Sequence, residues 1–195
     1  YLLLKKKDGN GNYLRDANDE RIIVGSYIWT ESLFKNGKMH GLSKRYNNNG
    51  NGSIEYLTPY VNGKIHGKAI TYSNNGDFIA ITDEYVNGKK HGKSISYDKN
   101  GHISDWGITY YENGIAVKEV SDFFKGIYKN DRRYKGTWYE YDDVSKKRYK
   151  KFTGYKTKDG KKGTEFYERS GTKKFVGTWK GDWIYNTGTM YTAKG

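Results

Sequence analysis

The sequence Phe-Lys-Asn-Gly-Lys-Met-His-Gly at residues 34–41 returns as Tyr-Val-Asn-Gly-Lys-Ile-His-Gly at residues 60–67 and as Tyr-Val-Asn-Gly-Lys-Lys-His-Gly at residues 85–92. The period is 25 or 26 residues. Asn-Gly suits the positive φ angles of a type I′ turn and is the strongest short signal for a β-hairpin. A fixed period indicates a repeat architecture in which units stack on their neighbours. The stretch therefore predicts a series of β-hairpins.

Asn-Gly pairs also occur between these units, so that each unit has two turns. Short strands separate the turns, at residues 42–46, 68–72 and 93–97. In the second strand Ile70 and Tyr72 share one face while Ala69 and Thr71 share the other, which predicts a strand with one buried face. Strands joined in this way form an antiparallel meander. The pairs begin at Asn36, Asn49, Asn62, Asn75, Asn87, Asn100 and Asn113.

The first six pairs alternate between two classes, which we expect at opposite edges of a sheet. The class that begins at Asn36, Asn62 and Asn87 is followed by Lys and then His, whereas the other class is not. The pair at Asn113 falls where the first class should recur but lacks the Lys and the His. The regular array is therefore expected to fail after residue 114.

Large aromatic rings dominate the apolar surface of this chain. Hydrophobic residues make up 34% of the sequence, below the usual value of about 45–50%, but aromatic residues reach 16%, with 20 Tyr. Each ring can bury about 150–250 Å², so rings can hold a thin sheet without a thick aliphatic core. Cross-strand packing is expected for two series of rings, and stacking on bases or sugars is the alternative. They are Tyr46, Tyr72, Tyr97 and Tyr110, with Phe34, Tyr60, Tyr85 and Tyr111 as companions.

The chain is strongly basic, with a formal net charge of +13. Such a charge favours acidic partners, namely nucleic acid, anionic lipid or an acidic protein, although solubility explains it equally well. No cysteine is present, so disulfides and thiolate chemistry are excluded. No stretch approaches the about 18 apolar residues of a membrane span. Because the sequence starts at Tyr1 and not at Met, we expect a processed or truncated product.

The C-terminal part follows a different pattern. Residues 117–125 lack turn signals and predict a short helix or an irregular crossing. An aromatic-x-Gly-x pattern then occurs at residues 134–138, 152–156 and 175–179, followed by spaced glycines. These units resemble the MORN repeat, and the units at residues 34–114 resemble its bacterial variant with the core aromatic-x-Asn-Gly-Lys-x-His-Gly.

The resemblance implies an all-β fold, an elongated single-layer antiparallel sheet of stacked β-hairpins. It divides the chain into an N-terminal strand or cap region (1–33), variant repeats (34–114), an irregular connection (115–133) and further repeats (134–195), within one continuous repeat domain. Such families are mainly scaffolds and protein-binding modules, and lipid binding has been proposed for them. Some bacterial members are antitoxin or immunity-type proteins and others look exported. The location stays open, with an exported, cell-surface protein favoured over a cytoplasmic one.

Histidine recurs at the same position in each variant unit, as His40, His66 and His91. Equivalent positions lie two strands apart, about 9.5 Å at roughly 4.8 Å per strand. Ligands of one zinc ion each lie about 2.0–2.1 Å from the metal, so these three cannot share an ion. We expect each His to pack or hydrogen-bond within its own turn, with a pH-sensitive surface as the alternative.

Lysine follows each Asn-Gly of the first class and predicts a basic edge. Such an edge suits an acidic protein, a polyanion or an anionic membrane surface, although lysine is also common in solvated turns and prevents aggregation at edges. The open terminal strands also suggest edge-to-edge self-association. No RNA-binding signature accompanies the rings, so a nucleic-acid partner is not expected. The candidate partner-binding residues are Lys38, Lys64, Lys89, Lys90, His40, His66 and His91.

A polar segment near the start has the ligand spacing of a calcium loop. Its candidate ligands are Asp8, Asn10, Asn12, Asp16 and Asp19. Tyr13 occupies the position where the sharp turn needs Gly, and Asp19 replaces the bidentate Glu. A polar hairpin turn is therefore the preferred interpretation, and no metal or cofactor is expected.

No catalytic motif is present in the sequence. Nucleophile elbows, His-Glu-x-x-His and phosphate-binding glycine loops are all missing. The sequence therefore predicts a non-enzymatic scaffold that binds a protein partner, with docking of the basic edge on anionic lipid or another polyanion as the alternative.

Overall fold

The computed structural model describes residues 2–5, 23–27, 30–47, 52–168, 170–181 and 184–193. All regular secondary structure within these ranges is β, so the predicted all-β class of antiparallel hairpins is confirmed. The chain divides into two compact units, Tyr1–Lys89 with Lys99–Gly101, and Lys90–Asp98 with His102–Gly195. Within the described ranges no helix is long and apolar enough to cross a membrane.

The first unit is an antiparallel meander. Its strands are β1 (Leu2–Lys5), β2 (Ile23–Tyr27), β3 (Thr30–Glu31), β4 (Phe34–Lys35), β5 (Lys38–Met39), β6 (Gly41–Tyr46), β7 (Ile54–Val61), β8 (Lys64–Ile65), β9 (Gly67–Tyr72) and β10 (Ile79–Val86). β7 is the centre of the meander, since it pairs with β6 on one side and with β8 and β9 on the other. β3 pairs with β6, β9 with β10, β1 with β2, and β4 with β5.

In the second unit each strand pairs antiparallel with the next one along the chain. The first strand, β11, begins at Lys89, one residue before the unit boundary. The strands are β11 (Lys89–Tyr97), β12 (Ile103–Glu112), β13 (Ile115–Val120), β14 (Phe124–Lys129), β15 (Arg132–Asp142), β16 (Lys147–Thr157), β17 (Gly160–Phe166), β18 (Lys173–Lys180) and β19 (Ile184–Met190).

A row of six glycines runs straight across strands β14 to β19. Each glycine is the register partner of the next, in the order Gly126, Gly136, Gly154, Gly163, Gly177 and Gly188. A Cβ built on any of them would lie 2.7–2.8 Å from the Cα of a neighbouring glycine. The strands therefore approach more closely along this row than residues with side chains allow. We call these six residues the glycine row.

Aromatic rings form the core, and two of them, Phe124 and Phe175, lie over glycines of the glycine row. The buried hydrophobic side chains among the described residues are Phe124, Trp138, Phe152, Phe175 and Trp179, with Tyr128 packed against them. Neighbouring rings lie 4.7–6.2 Å apart between centroids, the usual range of aromatic pairs. These core rings lie in the second unit and do not belong to the two predicted series, whose cross-strand packing stays a prediction.

The predicted one-sided burial of strands in the first unit is wrong. In β9 all four residues from Ala69 to Tyr72 are half-buried, on both faces. Phe34, the first of the companion rings, is 66% exposed. A periodic alternation of apolar and polar residues is the same whether one face is covered or not, so it does not report how deeply that face is buried.

The prediction of a short helix or an irregular crossing at residues 117–125, within an irregular connection at residues 115–133, is also wrong. This segment contains β13 and β14, which pair with each other and with their neighbours. Their connection is closed by Ser121, whose Oγ accepts hydrogen bonds from the N–H groups of Phe123 and Phe124. A serine turn of this kind replaces Asn-Gly and carries no glycine signal.

The next hairpin closes on Asn130-Asp131, with φ angles of 50° and 57°. Both angles belong to a type I′ turn, but Asp occupies the position that glycine prefers. We expect Asp131→Gly to raise the free energy of unfolding by about 0.5–1 kcal/mol because it removes the left-handed strain. Urea denaturation measures the change. As the reverse control, Gly63→Ala in the Asn62-Gly63 turn should lower the free energy of unfolding. If both variants changed the free energy of unfolding in the same direction, left-handed strain at the second turn residue would not be the cause.

The Asn-Gly pairs form two kinds of turn. Asn36, Asn62, Asn87 and Asn113 have φ near 50° and are followed by a positive-φ glycine, as type I′ requires. At Asn75 and Asn100 only the following glycine has a positive φ, of 81°. These two are not type I′ turns, in contrast to the prediction, and the pair at Asn49 lies outside the described residues. The two predicted classes of Asn-Gly pair therefore differ in turn conformation. The first class forms type I′ turns, and the described pairs of the second class do not.

A buried carboxylate links three strands of the second unit. Glu119 on β13 is 4% exposed and accepts hydrogen bonds from the hydroxyls of Ser121 and Tyr128. Arg133 donates to both of its oxygens, at 3.0 Å from Nε and 2.7 Å from Nη2. Burial, together with the hydrogen bond to Glu119, raises the pKa of the Tyr128 hydroxyl, so Tyr128 stays a donor. The network fixes the orientation of Arg133.

Candidate functional site

The type I′ turns of the first unit place one lysine each at the same position. Lys38 and Lys64 follow their turns directly, and pair across the hairpin with Lys35 and Val61. Lys89 follows the third turn in the same way. We call Lys38, Lys64 and Lys89 the Lys column.

Hydrogen bonds between successive repeats hold the turns of the Lys column in register. The N–H of Gly63 donates to the carbonyl oxygen of Met39 at 2.8 Å, and the N–H of Gly88 donates to that of Ile65 at 2.7 Å. A Cβ on Gly63 would lie 3.8 Å from the Cβ of Lys38, and one on Gly88 would lie 4.0 Å from that of Lys64. Lys38 and Lys64 therefore each start beside the glycine of the next turn, and the backbone sets the spacing of the three lysines along the column.

The ammonium groups of the Lys column face solvent. All three lysines are exposed, and the described part of the chain gives none of them an ion pair. Lys90, also predicted as a partner-binding residue, differs. It belongs to the second unit and is half-buried, and its Nζ lies 5.2 Å from the centre of the Tyr111 ring. Lys90 is therefore not part of the column.

Exposed apolar side chains accompany the Lys column. Leu33 and Phe34, before the first turn, are 65% and 66% exposed. Val61 and Val86, which directly precede the second and third turns, are 42% and 41% exposed. Each turn therefore presents a cation together with apolar surface, which is the mixed chemistry of a protein-binding surface more than that of a purely ionic one.

The three histidines occupy the base of these hairpins. The N–H of His40 donates to the Leu33 carbonyl at 2.8 Å and that of His66 to the Pro59 carbonyl at 3.0 Å. His40 is half-buried, with an unpaired Nδ1, whereas His66 and His91 are exposed. No cluster of metal-ligating side chains occurs among the described residues. The calcium-loop candidates, Asp8, Asn10, Asn12, Asp16 and Asp19, lie outside them.

The second unit contains a second basic site, which the sequence patterns did not predict. A cleft of about 760 Å³ is lined by Lys129, Arg132, Arg133, Lys156 and Lys158 together with Asp159. These residues flank two hairpin turns, at residues 130–131 and 158–159. We call this the cationic cleft. Its signal in the sequence is a group of basic residues around each turn, at 129, 132 and 133 and again at 156 and 158, and neither turn contains Asn-Gly.

Comparison of the chain with protein-family models and with curated proteins found no match.

Proposed function

We propose that this chain is a MORN-like repeat protein that acts as a non-enzymatic binding module, and that the Lys column docks on an acidic protein partner. One observation carries the proposal. Three exposed lysines recur at a spacing fixed by backbone hydrogen bonds, each beside exposed apolar side chains. The glycine row with its rings supports the MORN-like assignment, because it gives the aromatic-x-Gly-x pattern a structural reason.

A protein is a better partner for this surface than a bare polyanion. A polyanion attracts the lysines but gains nothing from Phe34, Val61 or Val86, whereas a protein segment with alternating acidic and apolar side chains contacts both. Each exposed ion pair contributes only about 0.2–1 kcal/mol, so the apolar contacts are needed for stable binding.

Reversal of the Lys column is the direct test. We expect Lys38→Glu/Lys64→Glu/Lys89→Glu to weaken binding of a synthetic peptide of alternating Glu and Leu by about 10-fold to 100-fold, because three attractions become repulsions. Fluorescence anisotropy measures the affinity. A peptide of equal charge with Gly in place of Leu should bind more weakly to the wild-type chain.

The matched control reverses Lys99, Lys147 and Lys173, which are exposed lysines outside the Lys column. The change in net charge is the same, so a loss of equal size would show that only the overall charge matters. Capture by anionic vesicles that depends on the Lys column, without peptide binding, would replace the protein partner with a lipid surface.

A further inference from the structure

The cationic cleft lies at one set of hairpin turns in the second unit. β14 and β15 supply Lys129, Arg132 and Arg133 on either side of the Asn130-Asp131 turn, and β16 and its turn supply Lys156 and Lys158. Five basic side chains and one acidic side chain, Asp159, line it. Three strands and one turn therefore bring positive charge to a single concave volume.

Several of these cations are held against the sheet and do not project from it. The Nζ of Lys129 lies 5.2 Å from the centre of the Tyr134 ring, and that of Lys156 lies 5.0 Å from the Trp138 ring. Such distances are typical of cation–π contacts. The guanidinium group of Arg133 is held in place by its ion pair with the buried carboxylate of Glu119. The basic groups are thus ordered around the cleft before any ligand arrives, which lowers the entropic cost of binding.

Three of the five basic side chains of the cleft form no ion pair among the described residues. Lys129, Arg132 and Lys158 are exposed, and no ion pair is described for them. Arg133 retains about a third of its side-chain exposure, 34%, although it pairs with Glu119. A ligand that brings several negative charges within a few ångströms would therefore relieve the repulsion among these groups.

We propose that the cationic cleft binds a compact, soluble ligand that carries several phosphate groups. A phosphate group brings about −1.5 to −2 charges and three strong acceptor oxygens, and Arg and Lys are the side chains that recognise it. The volume of the cleft falls within the range of about 300–1,000 Å³ that is usual for small-molecule sites. The ammonium groups of Lys129 and Lys156 lie close to the rings of Tyr134 and Trp138. A small ligand that enters the cleft therefore reaches them more easily than a flat membrane does. This site is separate from the Lys column and from its proposed protein partner.

Inositol hexakisphosphate is the probe for calorimetry on the full chain, with myo-inositol as the uncharged control. We expect binding of the former alone, and affinity that falls as salt is raised. Lys129→Gln/Arg132→Gln/Lys158→Gln should lower the affinity by about 10-fold to 100-fold, since hydrogen bonds to charged groups are lost. Asp159→Asn removes the one acidic group of the lining, so it should tighten binding.

The matched control is Lys99→Gln/Lys147→Gln/Lys173→Gln, which removes the same charge outside the cleft. Retained affinity in this control, together with loss in the cleft variant, supports the site. Equal loss in both variants, weaker binding in Asp159→Asn, or binding of myo-inositol would each overturn it. So would vesicles with 20% phosphatidylserine that compete fully with the probe for the cleft, because a membrane surface would then be the ligand.

Discussion

Gly163→Ala is expected to lower the free energy of unfolding by about 3 kcal/mol or more, at the upper end of overpacking effects. The new methyl group would lie 2.8 Å from the Cα of Gly154 and 2.9 Å from the carbonyl carbon of Thr153, and would overlap the Thr153 oxygen. These are backbone atoms of the paired strand, so no side-chain rotation relieves the overlap. The strands β16 and β17 would have to separate, which breaks hydrogen bonds of the ladder.

Gly171→Ala is the matched control for this effect. Gly171 has a φ of +66°, and a Cβ built on it meets nothing within 4 Å. The substitution should therefore cost only the left-handed strain of a non-glycine residue, about 1–2 kcal/mol. Both variants are measured by urea denaturation with a common m-value. If Gly163→Ala costs no more than Gly171→Ala, the close approach of strands along the glycine row is not what requires glycine there.

The glycine row also shows how far the sequence could predict this fold. The repeats of Asn-Gly predict hairpins because the type I′ turn has few alternatives, and four of those turns are confirmed. The spaced glycines of the C-terminal half were visible, but their alignment across six strands depends on register, which turn signals in that half do not fix. Phe124-Lys-Gly126-Ile-Tyr128 has the same aromatic-x-Gly-x pattern and would have corrected the interpretation of residues 115–133.

The candidate sites were predictable to different degrees. The Lys column follows from the repeat itself, because identical positions in stacked units lie at one edge. The cationic cleft does not, since its residues come from two hairpins whose turns differ in sequence, Asn130-Asp131 and Lys158-Asp159. The predicted partner-binding residue Lys90 differs from the column in its contacts. A lysine next to the column in sequence points to the other side of the strand, and it lies over a Tyr111 ring.

Phe124→Ala should cost about 3–5 kcal/mol of unfolding free energy, the usual range for loss of a buried ring. Phe124 is 0% exposed, lies 4.7 Å from Trp138 between ring centroids, and carries the guanidinium of Arg133 5.3 Å above its ring. Its ring also lies over the first two residues of the glycine row. Because glycine has no side chain, nothing in the row can expand to fill the space that the ring leaves.

Phe34→Ala is the control that separates burial from ring loss, because Phe34 is 66% exposed and its removal should change stability by no more than about 0.5 kcal/mol. Phe124→Leu retains part of the apolar volume and should fall between the two. A Phe124→Ala variant as stable as Phe34→Ala would mean that the sheet of the second unit is held by its backbone ladder alone. The expected order, with Phe124→Ala the least stable, follows from burial: the Phe124 ring is fully buried and lies over Gly126 and Gly136, which have no side chains to fill the space that it leaves.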